Sequence, residues 1–295
     1  SHFMTTVPDD AYDDNPAATS TETVDVTKIV ASAKCEDMKF WSPDSPNLYD
    51  VYTVLKDSEG NVLDVQKTTT GFRKVEYDIN DGGLKINDQP VWLTGYAQRS
   101  TNEWAVIGVA NDWLQDLDMQ WIKESNSNFI RWMHVAPKPS QIRSGDKYGV
   151  VSACPAGDKE ADVDGRAWDQ RVEAMRDVMI YFRNSPSVIF WETGNNAVTA
   201  AHQQEMTDLK NTLDTNGERF CGCRTISSTD QIQAADYVGT MLNRHASNAK
   251  ASMAAIKKYV PIMETEYARE EAPRRVWDDF SPPDYDYRNK WLGAG

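Results

Sequence analysis

A chain of 295 residues with 31 Lys+Arg against 45 Asp+Glu carries a formal charge of −14, and a surface of that sign repels phosphate backbones, which sets nucleic-acid binding aside. With 40% hydrophobic residues and ten Trp it has the apolar material for a sizeable core, which excludes a globally disordered chain. No apolar run approaches the roughly 18 residues of a membrane span, so a soluble protein is expected.

Taken in chain order, Ser1-His2-Phe3-Met4 resembles the remnant of a cleaved affinity tag, and no apolar signal-peptide core follows it. Residues 5–22 are mostly Asp, Thr, Pro, Ala and Ser without apolar period, and with the remnant they read as a tail over 1–22. From 23 to 80, segments rich in Val, Thr, Tyr and Ile recur at 26–33, 48–55 and 62–69, the last two separated by the hairpin signal Asp57-Ser58-Glu59-Gly60-Asn61. This predicts an all-β unit too short for a complete sandwich. After Asp81-Gly82-Gly83, short apolar runs occur at 91–93, 129–132, 150–153, 188–191, 225–227, 237–239 and 262–263. Helical spacing lies between them: Leu114, Leu117, Trp121 and Ile122; then Trp168, Val172, Met175, Met179 and Phe182; then Met206, Leu209 and Leu213. Such alternation predicts a parallel sheet, and seven strands in series favour a barrel over an open sheet, occupying 81–295. The segment 276–295 is rich in Asp, Pro and Tyr and predicts no eighth strand.

In a (β/α)8 barrel, functional side chains project from the C-terminal ends of the strands. Those ends carry Arg99, the run Arg131-Trp132-Met133-His134, the run from Trp191 to Asn196, His245, and Glu264-Thr265-Glu266-Tyr267. Glu192 and Glu266 fall at the fourth and seventh ends, facing each other across the mouth. A carboxylate pair flanking one bond is what glycoside cleavage requires: one donates a proton to the leaving oxygen, and the other attacks or activates water. His134 could bind a substrate hydroxyl or be a satisfied structural histidine, and Trp132 could stack on a sugar face or pack in the core. Cys35, Cys154, Cys221 and Cys223 lack zinc or redox spacing and read as buried free thiols. The acidic run Asp158, Glu160, Asp162, Asp164 lacks the order of a calcium loop and reads as a solvated loop.

Six stretches occur in an order that resembles glycoside hydrolase family 2: Trp41-Ser42-Pro43-Asp44-Ser45-Pro46-Asn47-Leu48-Tyr49, Gly71-Phe72-Arg73, residues 84–95, Asn128-Phe129-Ile130-Arg131, the run from Asn184 to Trp191, and Thr265-Glu266-Tyr267. That family contains β-galactosidases, β-glucuronidases and β-mannosidases. The resemblance covers roughly 24 to 291 and implies a jelly roll, an immunoglobulin-like domain and a TIM barrel that hydrolyses terminal β-glycosides with retention. The expectation is a fragment: part of the immunoglobulin-like β-sandwich over 23–80, then an incomplete TIM barrel lacking its C-terminal part. The function implied is β-galactosidase-like hydrolysis, with a carbohydrate-binding pseudoenzyme or an acid/base-deficient fragment without turnover as the alternatives.

The resemblance makes Glu266 the nucleophile, with a structural carboxylate paired to an arginine as the alternative reading. It makes Arg131 the arginine that orients this nucleophile, with an ordinary structural ion pair as the alternative reading, and Asn195 the amide that binds the sugar 2-hydroxyl. Tyr267 completes the Glu-Tyr motif, and Arg99 stands in a Gln-Arg pair where the family has Arg-His. At the fourth strand the family ends Gly-Asn-Glu, whereas this chain has Gly194-Asn195-Asn196. An amide cannot donate and retrieve a proton, so Asn196 can contact substrate but cannot be the acid. Three readings stand side by side. Glu192 could be the acid, although it would lie ~13 Å deeper if the chain stayed extended; a loop carboxylate such as Glu103 or Glu160 could replace it; or the acid is lost. No cofactor is expected; the resemblance implies magnesium and sodium in some members, without identifiable ligands here. The expected partner is a β-linked oligosaccharide, with neither nucleic acid nor membrane, and the oligomeric state stays open. A periplasmic or secreted bacterial location is favoured over the cytoplasm.

Overall fold

The computed structural model describes residues 36–78, 80–81, 83–99, 111–157, 161–214, 218–225, 228–240 and 260–266. The chain divides into two compact units, Ser1–Lys39 with Tyr49–Thr70, and Phe40–Leu48 with Gly71–Gly295. Residues 40–48 and 71–80, expected in the β unit, therefore cluster with the barrel. In chain order, a two-residue pair β1 (Trp41–Ser42) and β2 (Ser45–Pro46) is followed by the hairpin β3 (Tyr49–Lys56) and β4 (Val62–Thr70). A small antiparallel sheet comes next, of β5 (Val75–Asp78), β6 (Gly83–Ile86) and β7 (Gln89–Pro90). Then β8 (Gly95–Arg99), β9 (Phe129–Met133), β10 (Val151–Pro155), β11 (Val188–Glu192), β12 (Phe220–Cys223), β13 (Tyr237–Thr240) and β14 (Ile262–Glu264) lie side by side, parallel and in unbroken order. The described helices between them are α1 (Asp112–Glu124), α2 (Pro139–Tyr148), α3 (Arg166–Phe182), α4 (Ala200–Leu213) and α5 (Thr229–Ala234). The described strands form the sheet of a TIM barrel with seven strands in place, preceded by part of an immunoglobulin-like domain. None of the described helices is long and apolar enough to cross a membrane.

In the first unit the hairpin runs in register from Tyr49 opposite Thr70, with an irregularity at Leu55 and Lys56. Its turn is closed by Asp57, whose Oδ1 accepts from the backbone N–H groups of Glu59 and Asn61, the local carboxylate-to-backbone bonding that favours Asp in turns.

In the second unit the strand alternation separates two apolar layers. Ile130, Trp132, Cys154 and Trp191 pack outward against Met119, Ile122, Ile142, Trp168, Met175 and Met206 of the helices. Phe129, Val151, Ala153, Phe190 and Tyr237 pack inward, where Trp41, Val75 and Ile86 join them. Most of these inward residues sit at the starts of their strands, so the segments around β1, β5 and β6 fill that end and leave the opposite end for chemistry. Trp41 is fully buried and its indole N–H donates to the Asp146 carbonyl oxygen at 2.8 Å.

Two expected strands are displaced. The first barrel strand is β8 rather than 91–93, where Val91 and Leu93 pack against the inner layer and the Val91 N–H donates to the Leu84 carbonyl of β6 at 2.9 Å. The fifth is β12, Phe-Cys-Gly-Cys, rather than 225–227. Helix α2 was missed because it buries Ser140, Gln141, Ser144, Gly145 and Asp146 with only Ile142 as a strong apolar residue. Pro at its first turn and Gly149 beyond its end, in the left-handed conformation with φ 74°, are the terminal signals that mark it. The expected strand at 26–33 and the segment 276–295 lie outside the described residues. Among the described strands, β8 and β14 are the two edges of the sheet.

Candidate active site

Arg131 is the third residue of β9, and parallel register places Ala97 and Ala153 beside it on the neighbouring strands. These small side chains leave the interior free for a long one. The guanidinium crosses to Glu192 at the end of β11, which is flanked by Pro155 and Gly222. Arg131 Nε and Nη2 donate to Glu192 Oε2 and Oε1, both at 2.5 Å, with each residue 1% exposed. This is a bidentate, charge-assisted pair. The same guanidinium donates through Nη2 to Asn195 Oδ1 at 3.0 Å and through Nη1 to Glu266 Oε1 at 3.1 Å. Burial alone would lower the Arg131 pKa, but attraction to Glu192 and Glu266 outweighs it and the net shift is upward.

Glu266 follows β14 by two residues, and Thr265 extends the ladder by donating to the Thr240 carbonyl oxygen at 3.1 Å. Its other oxygen accepts from Arg224 Nη1 at 3.3 Å. Arg224 stands just past β12, donates through Nε to the Asn195 carbonyl oxygen and through Nη2 to Asn196 Oδ1 at 2.7 Å. Thus each oxygen of Glu266 meets a different guanidinium. Arg224 was not singled out in the sequence because the fifth strand was placed after it; reading Cys-Gly-Cys as the strand would have put Arg224 at a strand end.

Beyond Glu192 the ladder continues: Thr193 donates to the Gly222 carbonyl at 2.8 Å, and Arg224 donates to the Gly194 carbonyl at 3.1 Å. Strand β11 ends at Glu192 and the chain bends at Asn195 and Asn196, so Glu192 and Asn195 meet the same Arg131 nitrogen; Glu192 and Asn195 are buried and Asn196 is exposed. Buried Cys223 holds its Sγ at 3.1 and 2.9 Å from the carbonyl oxygens of Gly194 and Asn196, which share its single thiol proton; burial pushes its pKa up to about 11, so it remains a thiol. The other described cysteines, Cys154 and Cys221, are also free and buried.

The structure brings Arg131, Glu192, Asn195, Asn196 and Glu266 together. It does not bring Trp132 to them. Fully buried in the helix-facing layer, with its N–H toward Ser152 Oγ at 3.3 Å, Trp132 offers no face to a sugar, and the stacking reading is corrected to core packing. Its neighbour Arg131 took the inward parity. His134 is buried immediately past β9. Arg99 ends β8 paired with Met133, on the face that carries Arg131, and is exposed. Tyr267, His245, Glu103, Asp158 and Glu160 lie outside the described residues.

Among the described residues no group of three or more His, Cys, Asp or Glu is arranged to hold a metal ion. Asp162 instead accepts from the Thr199 backbone at 2.8 Å and meets His202 Nδ1 at 2.9 Å.

A barrel mouth with an arginine-held carboxylate past the seventh strand matches a known family. The family model for glycosyl hydrolases family 2, TIM barrel domain, matches residues 77–275, and that for glycosyl hydrolases family 2 matches 4–73. The chain belongs to glycosyl hydrolase family 2. A β-glucuronidase of Formosa agariphila is 34% identical over 265 residues, covering 89% of this chain and 26% of that protein. A β-galactosidase of Photobacterium profundum is 29% identical over 167 residues, covering 52% of this chain and 16% of that protein. The structure of a β-glucuronidase from glycoside hydrolase family 2 has 34% identity and a TM-score of 0.70, over 85% of this chain and 26% of that one. Bacteroides uniformis β-glucuronidase 3, at 22% identity and a TM-score of 0.60 over 76% of this chain and 30% of that one, shares the fold. This family 2 chain thus spans about a quarter of the length of the Formosa agariphila β-glucuronidase and of the β-glucuronidase structure it matches at 34% identity.

Proposed function

We propose that the chain carries the site of a retaining glycosidase that removes a terminal β-linked sugar by double displacement, with Glu266 as the nucleophile. The observation that carries this reading is the position of Glu266 past the seventh strand, with Arg131 and Arg224 donating to its two oxygens. Fixed donors on a nucleophile hold it at one angle, and orientation of this kind removes entropy from the attack. Arg131 positions the carboxylate, Asn195 meets the sugar, and Glu192 anchors Arg131 rather than donating a proton. The sequence pointed to a β-galactoside; the 34% identity with a β-glucuronidase over most of this chain favours a β-glucuronide. The test is labelling by 2-deoxy-2-fluoro β-glucuronyl and β-galactosyl fluorides, read by mass spectrometry. One adduct per chain is expected, with the sugar that labels faster identifying the donor, and Glu266→Gln should abolish it while leaving the fold intact. An adduct on another residue would remove Glu266 from this role. A carbohydrate-binding pseudoenzyme, favoured by Asn196 at the acid position, would form no adduct with either.

A further inference from the structure

The side chains of Asn196 and Arg224 form one unit. Arg224 Nη2 donates to Asn196 Oδ1 at 2.7 Å, Nε donates to the Asn195 carbonyl, and Nη1 donates to Glu266 Oε2 at 3.3 Å. A guanidinium can only donate, so it fixes the amide with the oxygen toward Arg224 and leaves the NH2 group, two donors, on the other side. The Arg224 side chain is 7% exposed, so this bond lies where hydrogen bonds polarise one another. Among the described residues, Arg224 just past β12 holds the Asn196 side chain and, through it, Glu266 past β14; Arg131 reaches the adjacent Asn195, Arg171 Nη1 lies beside Gly194, and the Cys223 thiol meets the Asn196 carbonyl.

Building on the glycosidase reading above, we propose that Asn196 and Arg224 replace general-acid catalysis with electrostatic stabilisation of the leaving oxygen, and that the substrates are β-glycosides whose aglycone departs as an anion, such as phenolic or enolic glycosides. A carboxyl at position 196 that takes up the bond Arg224 now makes to the amide would be favoured in its charged form, whereas a general acid must retain its proton near neutral pH. The arginine is therefore at odds with an acid there and suits an amide. In the first step an oxygen of Glu266 forms a bond to the anomeric carbon as the bond from that carbon to the aglycone oxygen breaks. The oxygen keeps the electron pair, leaves as a phenolate or enolate stabilised by the Asn196 N–H donors, and takes a proton from solvent. In the second step water attacks the anomeric carbon, the bond to Glu266 breaks and returns the carboxylate, and the proton passes to solvent.

The experiment has two independent arms, both on the full chain. In the first, Asn196→Glu is titrated by carboxyl-carbon NMR alone and in combination with Arg224→Gln or Arg224→Lys. The introduced carboxyl should titrate about 1–3 units lower with Arg224 or Lys at position 224 than with Gln; equal values overturn the unit, whatever the activity. In the second arm, aryl β-glucuronides and β-galactosides spanning a range of phenol acidity are hydrolysed. For the unmodified chain kcat/KM should fall about tenfold for nearly each unit rise in phenol pKa, with no loss at high pH from deprotonation of an acid. Asn196→Glu should stay equally steep, and Asn196→Glu with Arg224→Gln should flatten. A shallow dependence in the unmodified chain would reveal a protein acid and overturn the proposal. Absence of both turnover and fluoroglycoside adducts would instead remove the hydrolase reading, and with it the substrate class, while the titration still decides the pairing.

Discussion

Replacing Glu192 by Gln separates an anchor from an acid. Glu192 and Arg131 are each 1% exposed and share two hydrogen bonds of 2.5 Å. A Gln side chain keeps the volume but removes the charge and turns an NH2 donor toward a guanidinium that can only donate. Breaking a buried pair by neutralising one partner costs about 3–5 kcal/mol, because the remaining charge is left uncompensated. Arg131 retains Glu266 at 3.1 Å, which argues for the lower end of that range. For a unit of this size each kcal/mol moves Tm by about 2–4 °C, so a fall of about 6–12 °C is expected at the lower end. Near-UV circular dichroism on heating would measure it, with fluoroglycoside labelling in parallel, which should slow because Arg131 no longer holds Glu266. If Glu192 were the acid, a different pattern would appear: Tm nearly unchanged, labelling by an activated fluoride retained, and turnover lost only for poor leaving groups. That pattern would refute the assignment of Glu192 as anchor.

Asp146 and Gly239 give further predictions. Burial pushes the Asp146 pKa up to about 6, against the opposing bonds from Ser187, so between about pH 4 and 6 the unfolded chain ionises while the folded one keeps its proton, and stability falls by about 3 kcal/mol as pH rises through that window. Asp146→Asn retains an acceptor for the Ser187 N–H and should be stabilised relative to the unmodified chain progressively over that window in urea titrations; an unchanged difference between pH 4 and 7 would count against the shift. At Gly239 an added Cβ would collide with the backbone carbonyls of Cys223 and Arg224, so Gly239→Ala should displace Arg224, lower labelling and reduce stability by about 1–3 kcal/mol, whereas normal labelling would show that β12 can yield without moving its arginine.

The legible parts of the sequence are those in which one face of an element is apolar and the other is not. Helix α3 buries Trp168, Met175, Met179 and Phe182 at helical spacing, and the pattern alone predicts it. Strand β9 shows the opposite problem: Phe129 through Met133 is buried on both faces, so composition identifies the strand without saying that Arg131 points inward and Trp132 outward. The register with Ala97 and Ala153 makes that assignment, and register belongs to pairing rather than to any local pattern. Strand β12 was hidden because Cys and Gly carry little strand signal. Its glycine is required by Tyr237, whose ring and backbone occupy the space a Cβ would take. Locating Arg224 depended on this strand, so the residue that joins Glu266 to Asn196 could not be seen before the sheet was assembled.

Charge balance in the mouth links these residues. Arg131 faces Glu192 and Glu266, while Arg224 faces Glu266 and two uncharged oxygens, so the described cluster holds two cations and two anions. Buried charges persist only when paired, and each of these four groups has a partner of opposite charge. A carboxyl at position 196 would add a fifth ionisable group with two states: protonated, the cluster stays neutral and the group can serve as an acid; ionised, the cluster carries an excess negative charge but gains a direct ion pair with Arg224. Because Arg224 already points two donors at Asn195 and Asn196, the ionised state gains a charge-assisted bond that the protonated state would weaken. A cluster arranged in this way does not wait for an acid at position 196. It presents an oriented amide, and the acidity of the departing group must come from the substrate.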